Sequence, residues 1–219
     1  MSQFCTGLTP LHKAAFLGHT NALEKLLENG ATIDCTDSLG RSPLHYATLQ
    51  KDVESATVLL TNNANTNVYD VFDECPLYTC ILRRRSYSMI KLLLSFGATV
   101  SSAPHKSSLG LLLEIVLSAR SISDLYILDL LFQNGADLNT TDIGLRTPLH
   151  IVAMTGNLML ALYLVEEGAD LHRKNRNGYT PLEVAIAYKN FEIIELIEYS
   201  LSKKSEINST SSKTTLINE

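Results

Sequence analysis

Thr9-Pro10-Leu11-His12 recurs along the chain as Ser42-Pro43-Leu44-His45, Cys75-Pro76-Leu77-Tyr78, Thr147-Pro148-Leu149-His150 and Thr180-Pro181-Leu182-Glu183. The prolines of the first three copies are 33 residues apart, as are those of the last two. A second marker runs in phase with them: Gly30-Ala31, Asn63-Ala64, Gly97-Ala98, Gly135-Ala136 and Gly168-Ala169. Self-similarity at such a period marks a repeat architecture, in which each unit buries its apolar face only against its neighbours. The long interval from Pro76 to Pro148 hides a further, degenerate unit. It lacks the motif, carries Gly110 where the proline would fall, and holds extra residues around Arg120-Ser121-Ile122-Ser123-Asp124.

The chemistry of the motif predicts its local structure. Thr9, Ser42, Thr147 and Thr180 offer side-chain oxygens suited to helix N-caps, and the proline after each belongs at the first helical position, where no amide hydrogen is needed. In the first unit a helix is expected from Pro10 to Leu17, a break at Gly18-His19, and a second helix from Asn21 to Glu28, ended before Gly30. Helices this short do not persist alone, because isolated helices need roughly 12 to 15 residues. Stacking must therefore stabilise them, through faces such as Leu11, Ala14 and Ala15 on the first helix and Leu23, Leu26 and Leu27 on the second. Between helix pairs lie turn-rich segments such as Ile33 to Arg41 and Asp170 to Tyr179.

In period and in the Thr-Pro-Leu-His signature the sequence resembles the ankyrin-repeat family. The resemblance covers roughly residues 5 to 201. It implies an all-α fold, an ankyrin-repeat solenoid of stacked helix-turn-helix units with projecting β-hairpin fingers. On this reading the repeats are 4–36, 37–69, 70–103, 104–141, 142–174 and 175–201, with Glu192, Glu195 and Glu198 as the polar face of a terminal cap. Residues 202–219, rich in Ser, Thr and Lys, are expected to form a disordered polar tail. Repeats three and four depart most from the pattern.

Composition and motifs narrow the function. The chain has 18 Lys+Arg against 23 Asp+Glu, a net charge of -5, and so no global positive field for a nucleic-acid backbone or an anionic membrane. No apolar run is long enough to span a bilayer and no signal peptide is visible, so a cytoplasmic or nuclear monomer without membrane insertion is expected. Four cysteines, Cys5, Cys35, Cys75 and Cys80, form no CxxC pair. His12, His45 and His150 recur once per repeat and therefore lie in successive layers, where each is expected to satisfy backbone groups of an adjacent finger rather than bind a metal. With no nucleophile motif and no phosphate loop, neither enzymatic activity, nor a cofactor, nor a metal is expected. The run Arg83-Arg84-Arg85 reads as a solvated helix face. Leu59 to Asn67 and Leu131 to Asn139 resemble the pattern that asparaginyl hydroxylases act on in ankyrin domains.

A protein partner remains. In the resembled family, fingertips and the inner face of each first helix carry recognition. Here the fingertips supply Leu8, Leu39, Val71, Phe72, Ile143 and Tyr179. The inner helix face supplies Phe16, Leu17, Leu49, Leu82, Met154 and Tyr188, and Arg41, Glu74 and Arg83 offer polar contacts around Phe72. This set implies an adaptor or stoichiometric inhibitor. The alternative is the targeting or regulatory portion of an enzyme or channel whose catalytic or membrane part lies on another chain or isoform.

Overall fold

A computed structural model describes residues 7–83, 86–100, 111–119 and 121–215. Among these residues there are twelve α-helices and no strand. In chain order they fall two to a repeat: α1 (Pro10–Leu17) and α2 (Thr20–Glu28), α3 (Pro43–Gln50) and α4 (Val53–Thr61), α5 (Pro76–Arg83) and α6 (Tyr87–Ser95), and α7 (Leu111–Ser118) and α8 (Ile122–Gln133). Two more pairs follow, α9 (Pro148–Thr155) with α10 (Leu158–Glu166) and α11 (Pro181–Tyr188) with α12 (Phe191–Thr215). Six pairs match the six expected repeats.

The caps follow from the motif. The Thr9 side chain accepts from the amide of His12, Pro10 opens α1, and Gly18 ends it in the left-handed conformation at φ 72°. Thr147 and Gly156 frame α9 in the same way. In the last repeat Glu183 replaces the histidine and closes a reciprocal capping box with Thr180.

The helices fall into two compact units. One contains α1 to α6 together with α8. In it α1 packs on α3 and α3 on α5, while α2, α4, α6 and α8 form a second layer in sequence. Its core includes Leu11, Ala15, Leu44, Leu59, Leu77, Ile81, Met89 and Leu93, all essentially inaccessible to solvent. In α2 only Leu23 is fully buried; Leu26 and Leu27 are half-buried. The other unit contains α7 and α9 to α12, with α7 on α9, α9 on α11 and α10 on α12. Leu113, Leu149, Val152, Leu160, Leu164, Ala185 and Ile197 build its core.

Two elements are longer than their counterparts in the other repeats. Residues 121–124, among the extra residues read in repeat four, begin α8, which runs for 12 residues where α2, α4, α6 and α10 have nine. The Ser121 amide and hydroxyl both donate to Asp124 Oδ2, at 3.0 and 2.9 Å, so the extra residues carry their own capping box. α12 is the other: it continues to Thr215, into the residues 202–219 read from the sequence as a disordered polar tail. No glycine or proline occurs between Phe191 and Thr215 to stop it, and extending an existing helix costs far less than nucleating one. The Ser200 and Ser202 hydroxyls donate to the carbonyls of Leu196 and Tyr199, satisfying themselves within the helix.

Candidate protein-binding surface

Among the described residues, four fingers are tight turns, each organised by one acidic or amide side chain. Asp37 Oδ1 accepts from the amides of Leu39 and Arg41 at 2.8 and 2.9 Å. Asp70 does the same for Phe72 and Glu74, Asp142 for Gly144 and Arg146, and Asn175 for Asn177 and Tyr179. These Asx turns hold the fingertips in one geometry. A backbone bond closes each hairpin, as from the Asp37 amide to the Arg41 carbonyl, 3.0 Å. Neighbouring fingers are joined directly: the Val71 amide donates to the Leu39 carbonyl at 2.9 Å, and that of Arg176 to Gly144 at 2.8 Å.

The second carboxylate oxygens extend this frame. Asp37 Oδ2 accepts from the Tyr46 hydroxyl at 2.6 Å. Burial acts to raise the Asp37 pKa, but hydrogen bonds from Tyr46, Arg41 and Leu39 outweigh it and hold the carboxyl below its ordinary value. Burial and the bond to Asp37 push the Tyr46 phenol up to about 12. Asp70 Oδ2 is buried, and its partner is Arg41 Nε at 3.5 Å, an ion pair rather than a hydrogen bond. Asp142 pairs with Arg146 of its own finger, Nη2 to Oδ2 2.7 Å.

The three motif histidines fasten the fingers to the helices, as the sequence implied. Nε2 of His12, His45 and His150 lies 2.9 to 3.0 Å from the carbonyls of Arg41, Glu74 and Tyr179. A carbonyl only accepts, so Nε2 carries the proton and Nδ1 accepts from the amides of Thr9, Ser42 and Thr147. Both ring nitrogens are thus committed to structure. Burial lowers the pKa of His45 and of His150, so each stays neutral at pH 7. Among the described residues no group of three or more His, Cys, Asp or Glu is placed to hold a metal, and no helix is long and apolar enough to cross a membrane. Cys35, Cys75 and Cys80 are free thiols.

On this frame the nominated recognition residues divide cleanly. In the first unit Phe16, Leu17, Leu39, Val71 and Phe72 are exposed, with Phe72 at 58% and Leu17 at 60%. Leu8, Leu49 and Leu82 are half-buried. Arg41 is tied to Asp70, and Arg83 lies 3.6 Å from Glu74, so these polar residues serve first to hold neighbouring segments together. In the second unit Ile143, Tyr179 and Tyr188 are exposed and Met154 is half-buried. Arg84 and Arg85 lie outside the described residues. Asn67 sits at a finger base, its carboxamide oxygen accepting from the Thr99 amide at 2.9 Å and its nitrogen donating to the Gly97 carbonyl at 3.2 Å. Asn139 accepts from the Asp170 amide in the same manner.

One residue of this surface, Tyr46, was not among those nominated. Tyr46 packs edge-on to His12 and to Phe16, with ring centroids 5.5 and 6.1 Å apart. With Leu8, Lys13, Phe16 and Leu17 it lines a depression of about 230 Å³. Its signal was legible: Tyr46 follows the motif histidine directly, at the position where α1 exposes Lys13.

The comparisons agree with this geometry. The family model described as ankyrin repeats in three copies matches residues 1–70 and 115–211, leaving out nearly all of repeat three and the start of repeat four. The chain is 43% identical over 79 residues to the potassium channel SKOR of Arabidopsis thaliana, which is 36% of this chain and 9% of the channel. It is 38% identical over 61 residues to the ankyrin repeat domain-containing protein 13B of Mus musculus, 28% of this chain and 10% of that protein. The chain thus spans a small fraction of the curated relatives it matches. Among solved structures, the human ASB11 ankyrin repeat domain superposes with a TM-score of 0.68 at 26% identity, covering 88% of this chain and 84% of that one. The periodic motif, the paired helices and the family match lead to one conclusion: the chain belongs to the ankyrin-repeat family, whose repeats are protein-interaction modules.

Proposed function

We propose that this chain is a non-catalytic binding module, acting as a monomeric adaptor or stoichiometric inhibitor in the cytoplasm or nucleus. The observation that carries the reading is the set Phe16, Leu17, Leu39, Val71 and Phe72, five large apolar side chains held in solvent on one unit. Single exposed apolar residues are ordinary, but several together on a rigid frame mark an interaction surface. The frame spends its histidines and acidic side chains on structure, which supports binding rather than chemistry. An interface of standard size would bury roughly 800 Å² on this chain. Ile143, Tyr179 and Tyr188 give the second unit an apolar set of its own.

The decisive experiment changes Leu39 and Phe72 together to Ser. Both side chains sit on fingertips and neither belongs to the buried core, so helix content and melting temperature should hold while capture of a native partner is lost. Retained capture would count against the reading.

A second reading rests on the relatives. The matched region is 9% of a potassium channel, which supports the alternative that the chain is the targeting or regulatory portion of an enzyme or channel whose catalytic or membrane part lies on another chain or isoform. Native electrophoresis of cell extracts would separate the two, since this reading requires a constitutive complex with a catalytic or membrane subunit.

A further inference from the structure

We infer that the depression beside Tyr46 is an anchor pocket for a partner segment in which an aromatic side chain is followed by an acidic residue. The inference rests on the binding-module reading and names the partner chemistry for one part of that surface.

Size and lining come first. The lining is Leu8, His12, Lys13, Phe16, Leu17 and Tyr46, and the space is about 230 Å³. An apolar cavity of about 150 Å³ already accommodates benzene, so one aromatic side chain fits here. The Tyr46 wall is also set before anything binds. Tyr46 is fixed at its hydroxyl by Asp37 at 2.6 Å, and its ring meets His12 and Phe16 edge-on. A pocket already in its bound shape spares a ligand the entropy of ordering it.

Charge sets the neighbouring residue. Lys13 is exposed on α1, and among the described residues no carboxylate lies within ion-pairing distance of it. Asp37, the carboxylate bonded to the Tyr46 wall, is engaged by that hydroxyl and two amides. The pocket therefore offers an apolar socket beside an unanswered cation. A partner residue entering the socket places its neighbour over that cation, where an Asp or Glu is favoured and a Lys or Arg is opposed.

The test uses the full chain and three probes: acetyl-Phe-Asp-amide, acetyl-Phe-Lys-amide and acetyl-Ala-Asp-amide, titrated against NMR signals of Lys13, Phe16, Leu17 and Tyr46. The Phe-Asp probe should give saturable shifts at these residues and bind about two- to fivefold tighter than Phe-Lys, the size of an exposed ion pair. The Ala-Asp probe should give none. Lys13→Glu should reverse the charge preference, and Phe16→Ser should weaken both Phe probes. Equal affinity for the two Phe probes, or no saturable shift, overturns the proposal. An affinity that rises on changing Phe4 to Ser assigns the pocket to the chain's own N-terminus and also overturns it. The two readings fail separately. Loss of partner capture in the Leu39 and Phe72 variant without probe binding removes the pocket alone, whereas Asp-selective probe binding with capture unaffected upholds the pocket and removes the wider reading.

Discussion

Arg41 reaches from its own finger to the next, where its Nε lies 3.5 Å from the Oδ2 of Asp70, a carboxylate oxygen with no other partner. The Asp70 side chain is 1% exposed and that of Arg41 22%. Sequence reading nominates Arg41 as a binding contact; the structure makes it a clamp between fingers. Changing Arg41 to Met should keep much of the side-chain volume but leave a buried acid unpaired. We expect a loss of about 1 to 3 kcal/mol in stability. Urea denaturation should show it, and Asp70→Asn in the same background should recover part of it. An unchanged midpoint would mean that water already serves this carboxylate.

The buried histidines set a pH dependence. Burial lowers the pKa of His45, which faces Asp70, Asp37 and Arg41, and of His150, which faces Asp142, Asp170 and Arg146. The unfolded chain therefore binds more protons than the folded one once the pH falls below 6.5, and stability drops as the pH falls. Asp37 and Asp142 act lower down. Their folded pKa values lie below 3.8, so the stability they contribute is present above that value and is lost as the pH falls through the folded pKa. Denaturation midpoints measured from pH 8 to pH 3 should be flat above about 7, decline through the histidine range, and fall again in acid. His45→Gln with His150→Gln should flatten the upper decline and leave the acid loss.

Much of this fold was legible because helix starts and stops are written locally. The Thr-Pro pair placed the starts of α1 and α9 and Gly18 the end of α1, since capping depends on neighbours in sequence. Side-chain roles were harder wherever the partner comes from another repeat. The histidines were read correctly only because they recur in register. Arg41 shows no such periodic clue, and its partner Asp70 is a full repeat away. Tyr46 was passed over because what makes it a pocket wall, the bond to Asp37 and the approach of Phe16, exists only after stacking. The continuation of α12 was not legible for a different reason: its polar composition suggests disorder, while the helix depends on propagation from the packed turns before it.

Two finger positions test backbone strain in opposite directions. Gly40 has φ 76°, and a Cβ there would come 3.2 Å from Asp70 Cα, so Gly40→Ala combines left-handed strain with a backbone contact that cannot give. It should cost about 1 to 2 kcal/mol. At the matching place in the fifth repeat the chain puts Leu145, with φ 56°. Its side chain is half exposed and carries no core packing to lose. Leu145→Gly should therefore raise stability, by up to about 1 kcal/mol after the added freedom of the unfolded chain is subtracted. The pair is read from denaturation midpoints, and a gain at Gly40 or a loss at Leu145 would contradict the finger geometry.

Stacking itself is tested in the core of the second unit. Leu149 is 1% exposed on α9, which packs between α7 and α11. Leu149→Asp would place a carboxylate in that apolar layer with no partner, and either the charge or its neutralisation is costly there. The penalty should exceed about 4 kcal/mol, a large share of the 5 to 15 kcal/mol that stabilises a typical domain. Because each repeat gains its stability from its neighbours, α9 cannot fail alone; α10, α11 and the first turns of α12 lose the surface that orders them. Limited proteolysis should then cut between residues 137 and 200 while the α1 to α6 segment stays protected, and circular dichroism should show a partial loss of helix. A melting curve like that of the unaltered chain would mean that α9 does not depend on this layer, and the stacking account would fail.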